Sequence, residues 1–209
     1  MIMKQLLIAM LLLTVSGAPV VRAAETASPD TLVWCGLDYS KVKMIGTLDF
    51  QKPEAIFPGM LTAWNGLFIN EMLLQLEKMA KSVRTDLQAV QDRNAKAGAS
   101  QIERKDGSQD EMVKPTHITE ADIADIVKSY KLENDKGLGL VFVMDRLVKA
   151  QDTGCMHVVF FDVASRKVVR SERVCAKAGG IGFRNFWFKP VKEAVKQLPK
   201  MYKDAKAKR

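Results

Sequence analysis

The chain has 209 residues, of which 47% are hydrophobic and 27% charged, and a formal net charge of +8. That balance excludes a disordered chain, and the length suits one domain able to bury a core without disulfide staples. No second long apolar run follows the first 23 residues, so the reading excludes a transmembrane helix from the rest of the chain.

Lys4, the apolar run Leu6 to Val15, the breakers Gly17 and Pro19, and Val21-Arg22-Ala23 follow one another in the order of a secretory signal peptide. The apolar run is about ten residues, whereas a membrane-spanning helix needs roughly 20. Cleavage is expected after Ala23, with Ala24 as the second choice. The cleavage site has no cysteine, so the lipoprotein pattern is missing and the mature chain is expected in the periplasm.

Residues 24–40 read as a lead-in, and 41–209 as a single α/β domain. KVKMIGTLDF (Lys41 to Phe50) reads as the first strand. From Leu61 to Ala80, apolar residues at helical spacing (Leu61, Trp64, Leu67/Phe68, Met72, Leu74/Leu76, Met79) predict a helix of about five turns. Ser82 to Leu87 reads as a short strand and Gln88 to Ala97 as a short helix. The polar stretch 98–115 reads as a long excursion. Thr119-Glu120-Ala121-Asp122 resembles a capping box and opens a helix with Ile123, Ile126 and Tyr130 on its buried stripe. LGLVFVMDRLV (Leu138 to Val148) and MHVVFFDV (Met156 to Val163) are nearly continuous apolar runs, as expected of central strands covered on both faces. Lys167 to Cys175 alternates more and reads as a strand nearer an edge. About five strands in a mixed sheet, with helices packed on it, are expected in all.

Three cysteines, Cys35, Cys155 and Cys175, would be expected to form one bridge in an oxidising compartment. If Phe161 pairs with Val169 across the last hairpin, Cys155 lies opposite Cys175; if Asp162 pairs with Lys167, the two sulfurs point to opposite faces. The reading leaves open a Cys155–Cys175 bridge and a bridge from Cys35.

Catalytic and metal chemistry find little to work with. There is no C-x-x-C, and the two histidines, His117 and His157, fall on different elements. Asp49, Asp86, Asp145 and Asp162 sit near expected strand ends, but no nucleophile with its base is recognisable beside them. No catalytic residue, metal or cofactor is therefore assigned. Two segments carry the binding candidates. The first is AGGIGFRNFWF (Ala178 to Phe188), read as a turn packed down by aromatics, or alternatively as a platform offering Arg184 and Trp187. The second is the C-terminal helix, where Lys189, Lys192, Lys196, Lys200 and Lys203 fall within about 80° of arc, opposite Val191, Ala194, Val195, Leu198, Met201 and Tyr202. Pro199 should kink or end that helix. Without Lys4 and Arg22 the net charge of +8 falls to +6, which equals the excess of residues 189–209, with eight basic groups against Glu193 and Asp204. Basicity confined to one element points away from nucleic acid and toward an envelope protein or anionic polymer.

The segments KMIGTLDF, SVRTDLQAVQDRN, GLGLVFVMDRLV and VVFFDVASRKVVRSERV, in the order strand, strand–helix, strand and hairpin, resemble a known arrangement. It is similar to the anticodon-binding-like domain of the TolB translocation protein's N-terminal part, of curli-secretion lipoproteins and of lipoprotein activators of penicillin-binding proteins. The Asp162 to Lys167 turn is similar to the D-x-x-T-G-K turn of that group. WCGLDY and GGIGFRNFW also resemble segments of uncharacterised secreted bacterial proteins. The resemblance implies an α/β domain working in the cell envelope. The function expected is that of an exported, non-enzymatic accessory or binding protein, with a small-molecule-binding or hydrolytic protein, its pocket over the strand ends, as the alternative.

Overall fold

The computed structural model describes residues 28–47, 49–105 and 115–209. The expected leader and its cleavage site lie outside those residues, as do positions 106–114 of the polar excursion. In chain order the elements are β1 (Leu32–Asp38), β2 (Lys43–Ile45), α1 (Pro53–Ile56), α2 (Gly59–Met79), β3 (Val83–Thr85), α3 (Gln88–Asn94), β4 (Ile102–Glu103), α4 (Glu120–Lys128), β5 (Leu138–Val148), β6 (Thr153–Asp162), β7 (Val168–Lys177), α5 (Phe183–Val195) and α6 (Leu198–Lys208). The strands form one mixed sheet of seven, so the α/β expectation holds with more strands than expected.

The sheet is organised by β5. One of its edges pairs antiparallel with β6 along Leu138–Val148. The other is shared by two parallel strands: β1 against Leu138 to Val143, and β2 against Arg146 to Val148. β3 extends the sheet beyond β1, β4 beyond β2, and β7 beyond β6. All eleven residues of β5 are buried, which explains its continuous apolar run. On one face Leu140, Phe142 and Met144 meet α2, α5 and α6 through Trp64, Phe68, Phe188 and Met201. On the other, Val141 and Val143 meet α3 and α4 through Val90, Ile126 and Val127. Trp34 stacks on Phe68 with ring centroids 3.8 Å apart, fixing α2 against β1.

The first strand is Leu32–Asp38, within the stretch expected to be a lead-in, and the expected strand 41–50 contributes only the three residues of β2. LVWCGLD lacks the alternation of a half-exposed strand because all seven of its residues are buried. Cys35 is also an extra residue: Trp34 pairs with Leu140 and Gly36 with Val141, so the face of each side chain shifts midway.

Beyond Trp34 the outer edge of β1 runs past the end of β3, and side chains take over the missing ladder. Asn65 of α2 accepts from the Leu37 N–H (2.8 Å) and donates to the Leu37 carbonyl (3.1 Å). Asn94 at the end of α3 accepts from the Tyr39 N–H (2.7 Å) and also donates to the Leu37 carbonyl (2.8 Å). Gln101 donates to the Tyr39 carbonyl (2.8 Å). Gly36, at φ 118°, is required here, since a Cβ would stand 2.8 Å from Asn65 Oδ1. At the end of β1 the buried Asp38 accepts from Arg93 Nε (2.9 Å) of α3 and from the Tyr130 hydroxyl (2.8 Å) just beyond α4.

The cysteine question is settled by a bulge. Near the turn Phe161 pairs with Val168, but Phe160 pairs with Arg170, so Val169 is an extra residue. From there Cys155 falls directly opposite Cys175, and the two are bridged, while Cys35 remains a buried free thiol. In the turn, Arg166 adopts φ 58°, in the left-handed region that favours glycine. Asp162 accepts from both the Ser165 N–H and the Ser165 hydroxyl, each at 2.9 Å.

Two stability changes are expected. Asn94→Ala leaves the buried Tyr39 N–H without an acceptor and should cost about 2 kcal/mol in urea unfolding. Removing the bridge in a Cys155→Ser/Cys175→Ser double variant frees a loop closed over a separation of 20 residues. That should cost about 3 kcal/mol relative to the oxidised chain and nothing relative to the reduced one.

Candidate functional site

The lysine-bearing C-terminal segment forms two helices. α5 ends at Val195 and α6 starts at Leu198, so the break falls just before Pro199, whose ring suits a first helical turn. The apolar side docks as expected: Val191, Ala194, Val195, Leu198, Met201 and Tyr202 are all buried. On the opposite side Lys196, Lys200 and Lys203 are exposed and Lys192 is half-buried. Lys192 pairs with Glu71 of α2, and Lys196 with Glu193 at 2.7 Å. Among the described residues Lys200 and Lys203 form no ion pair, so their ammonium groups face solvent alone.

Between the C-terminal half of α2 and the α5–α6 corner lies an open groove of about 560 Å3. Met72, Gln75 and Met79 follow one another along one face of α2, with Lys78 beside them. Lys192, Val195 and Lys196 of α5, with Leu198 and Pro199 of α6, make the facing wall. Two of the lysines expected to bind, Lys192 and Lys196, are thus brought together with Lys78. The contribution of α2 was not anticipated, because it depends on how two helices far apart in sequence pack.

The glycine-rich segment 178–182 joins β7 to α5. Gly180 (φ 116°) and Gly182 (φ 79°) hold conformations that other residues rarely adopt. Arg184 is exposed, and its backbone carbonyl accepts from Trp64 Nε1 at 2.8 Å. Trp187 is only 1% exposed and packs against Phe50 and Phe186 at 5.4 and 5.1 Å. It presents no face to a partner, and the aromatic residues of this segment pack α5 onto the sheet. Ile181, at 94% exposure, stands out at the tip.

The four strand-end aspartates do not converge. Asp49 lies 3.8 Å from Lys149 Nζ, and Asp86 accepts from the Asn134 N–H and side-chain amide, each at 2.9 Å. Asp162 faces Leu138 at one end of the β5–β6 ladder, and Arg209 pairs with it at 3.0 Å. Asp145 lies toward the other end, as the extra residue of a bulge: Met144 pairs with Met156 and Arg146 with Cys155. The bulge turns its carboxylate into a buried cluster that sequence periodicity does not reveal.

Asp145 Oδ1 lies 2.9 Å from His117 Nδ1 and accepts from the Thr116 hydroxyl at 3.1 Å. Its Oδ2 receives the Arg173 guanidinium through two nitrogens at 2.8 Å, with Arg146 Nε at 3.3 Å. The Thr116 oxygen also accepts from the Ile118 N–H (3.0 Å) and lies 2.9 Å from His157 Nε2. His117 Nε2 donates to the Lys41 carbonyl at 2.8 Å, and Arg146 to the Pro115 carbonyl at 3.0 Å. Burial pushes the Asp145 carboxyl up, but His117, Arg146 and Arg173 outweigh it and hold the group well below the usual carboxylate range. Burial also lowers His157, against the opposing influence of Asp145.

Wholly buried, with two guanidinium groups, an imidazole and the Thr116 hydroxyl around it, the carboxylate has no lone pair left for general-base work. The cluster instead ties residues 115–118 to β5, β6 and β7. Cys35 is equally unsuited to nucleophilic chemistry, since burial, reinforced by Asp86, pushes its thiol far above the ordinary range. Among the described residues no group of three or more histidine, cysteine or carboxylate side chains could hold a metal ion.

No protein-family model, curated protein or solved structure matches the chain.

The Asp145 cluster predicts an acid-side loss of stability. Because its folded carboxyl is depressed, its contribution is complete above the usual value of 3.8 and is lost as pH falls from there through the folded value. Asp145→Asn removes the negative charge that faces the Arg146 and Arg173 guanidinium groups and should cost about 3 kcal/mol at pH 7. In urea melts that gap should narrow below pH 3.8. A gap independent of pH would mean that Asp145 is not held ionised by these partners.

Proposed function

We propose that this chain is an exported, non-enzymatic accessory protein of the bacterial cell envelope. It holds an acidic protein or an anionic envelope polymer on the lysine-bearing face of α5 and α6. The observation that carries this reading is the pair Lys200 and Lys203, exposed and without an ion pair among the described residues, on a helix whose other side is buried. Unpaired surface cations retain their full field for an incoming anion, and salt weakens that attraction. The Cys155–Cys175 bridge fits an oxidising compartment, and no helix among the described residues is long and apolar enough to cross a membrane. The sequence resemblance of the β3–α3, β5 and β6–β7 segments to TolB-type envelope domains supports the same address.

The test uses the mature chain on immobilised poly-L-glutamate and on envelope extract at low salt. Lys200→Glu/Lys203→Glu should reduce retention about tenfold. The control, Lys131→Glu/Lys136→Glu, changes net charge equally at exposed positions elsewhere and should reduce it far less. Equal losses in the two variants would reduce the lysine face to a net-charge effect and overturn the reading.

A further inference from the structure

We propose that the groove between α2 and the α5–α6 corner is a binding site for a single-chain anionic amphiphile, a long-chain carboxylate. Its volume of about 560 Å3 lies within the range of small-molecule pockets, about 300–1,000 Å3. The apolar lining, or floor, is Met72, Met79, Val195, Leu198 and Pro199, which offers dispersion contacts, and Gln75 is the uncharged polar side chain beside it. No aromatic ring lines it, so it lacks the stacking surface a sugar would use. Methionine side chains adapt to a flexible chain without a fixed shape of their own. Pro199 adds an apolar ring without an N–H, where the break between α5 and α6 opens the wall.

The charges select the head group. Lys78, Lys192 and Lys196 line the groove. Glu71 engages Lys192 and Glu193 engages Lys196, whereas Lys78 forms no ion pair among the described residues. Three ammonium groups against two carboxylates leave one uncompensated positive charge, which matches a monoanion. Both existing pairs are partly exposed, with Lys192 and Lys196 side chains 41% and 68% accessible, so rearranging them around a ligand costs little. An aliphatic chain on the floor with its carboxylate at Lys78 satisfies both halves of the site. The site does not depend on the macromolecular partner proposed above, since it uses the inner side of the lysine array and leaves Lys200 and Lys203 free.

The experiment is calorimetric titration of the mature chain with dodecanoate below its micellar concentration. Dodecyltrimethylammonium serves as the cationic counterpart, and vesicles of anionic phospholipid test for surface binding. Saturable binding at one site per chain is expected for dodecanoate and none for the cation. Met72→Trp, which fills the groove from a partly buried position, should abolish it, with circular dichroism confirming the fold. Lys78→Glu, an exposed change that leaves the floor intact, should weaken it about tenfold. Lys200→Glu/Lys203→Glu should leave dodecanoate binding unchanged, which separates this site from the lysine face. Unchanged binding in Met72→Trp, equal binding of the cationic detergent, or binding to vesicles with none to monomeric dodecanoate would each overturn the proposal.

Discussion

The fold hangs on the requirement that a strand buried on both faces must also have its backbone satisfied on both edges. β5 meets it with β6 along one side and with β1 and β2 sharing the other. The sharing creates a difficulty one strand further out, because β3 reaches only the first part of β1. Asn65 and Asn94 supply the missing donors and acceptors from α2 and α3, and so lock two helices to the sheet by hydrogen bonds as well as by apolar packing. In the interior such bonds are costly to lose, so α2 has little freedom to slide. The groove facing α5 and α6 inherits its shape from that rigidity.

Three single-residue irregularities do much of the remaining specification. Cys35 is extra in β1, Asp145 in β5 and Val169 in β7. Each shifts the alternation of side chains between faces, since the period of a strand is two. The bulge in β7 brings Cys155 opposite Cys175. The one in β5 turns a carboxylate inward, where it gathers an arginine from its own strand, an arginine from β7 and a histidine and a threonine from the segment before α4. An aspartate that the sequence placed only near a strand end thereby becomes the centre of a buried polar cluster.

The C-terminal helices divide their charges by neighbourhood. Lys192 and Lys196, toward α2, are paired with carboxylates, whereas Lys200 and Lys203, farther along, form no ion pair among the described residues. One lysine array therefore offers a partly neutralised rim around an apolar floor and an unneutralised outer face. These two environments differ in the way the two proposals require: a single uncompensated charge beside an apolar surface in the groove, and unpaired cations on the outside.

Features carried by local pattern were readable in the chain. The 3.6-residue rhythm of α2, the Thr119–Asp122 capping box, the apolar runs of β5 and β6 and the two-sided C-terminal helices all appear where their residues imply. β1 escaped notice because a strand buried on both faces has no alternation to detect, and because Cys35 and Gly36 interrupt it at a bulge. Of the two readings of Trp187, packing ring or binding platform, its burial fits the first, and only the packing of α5 shows which side of a helix is covered. Whether Cys155 meets Cys175, where Asp145 points and that Lys78 joins Lys192 and Lys196 were decided by tertiary structure. Bulges and helix–helix approach arise from contacts between segments distant in sequence, which no local period records.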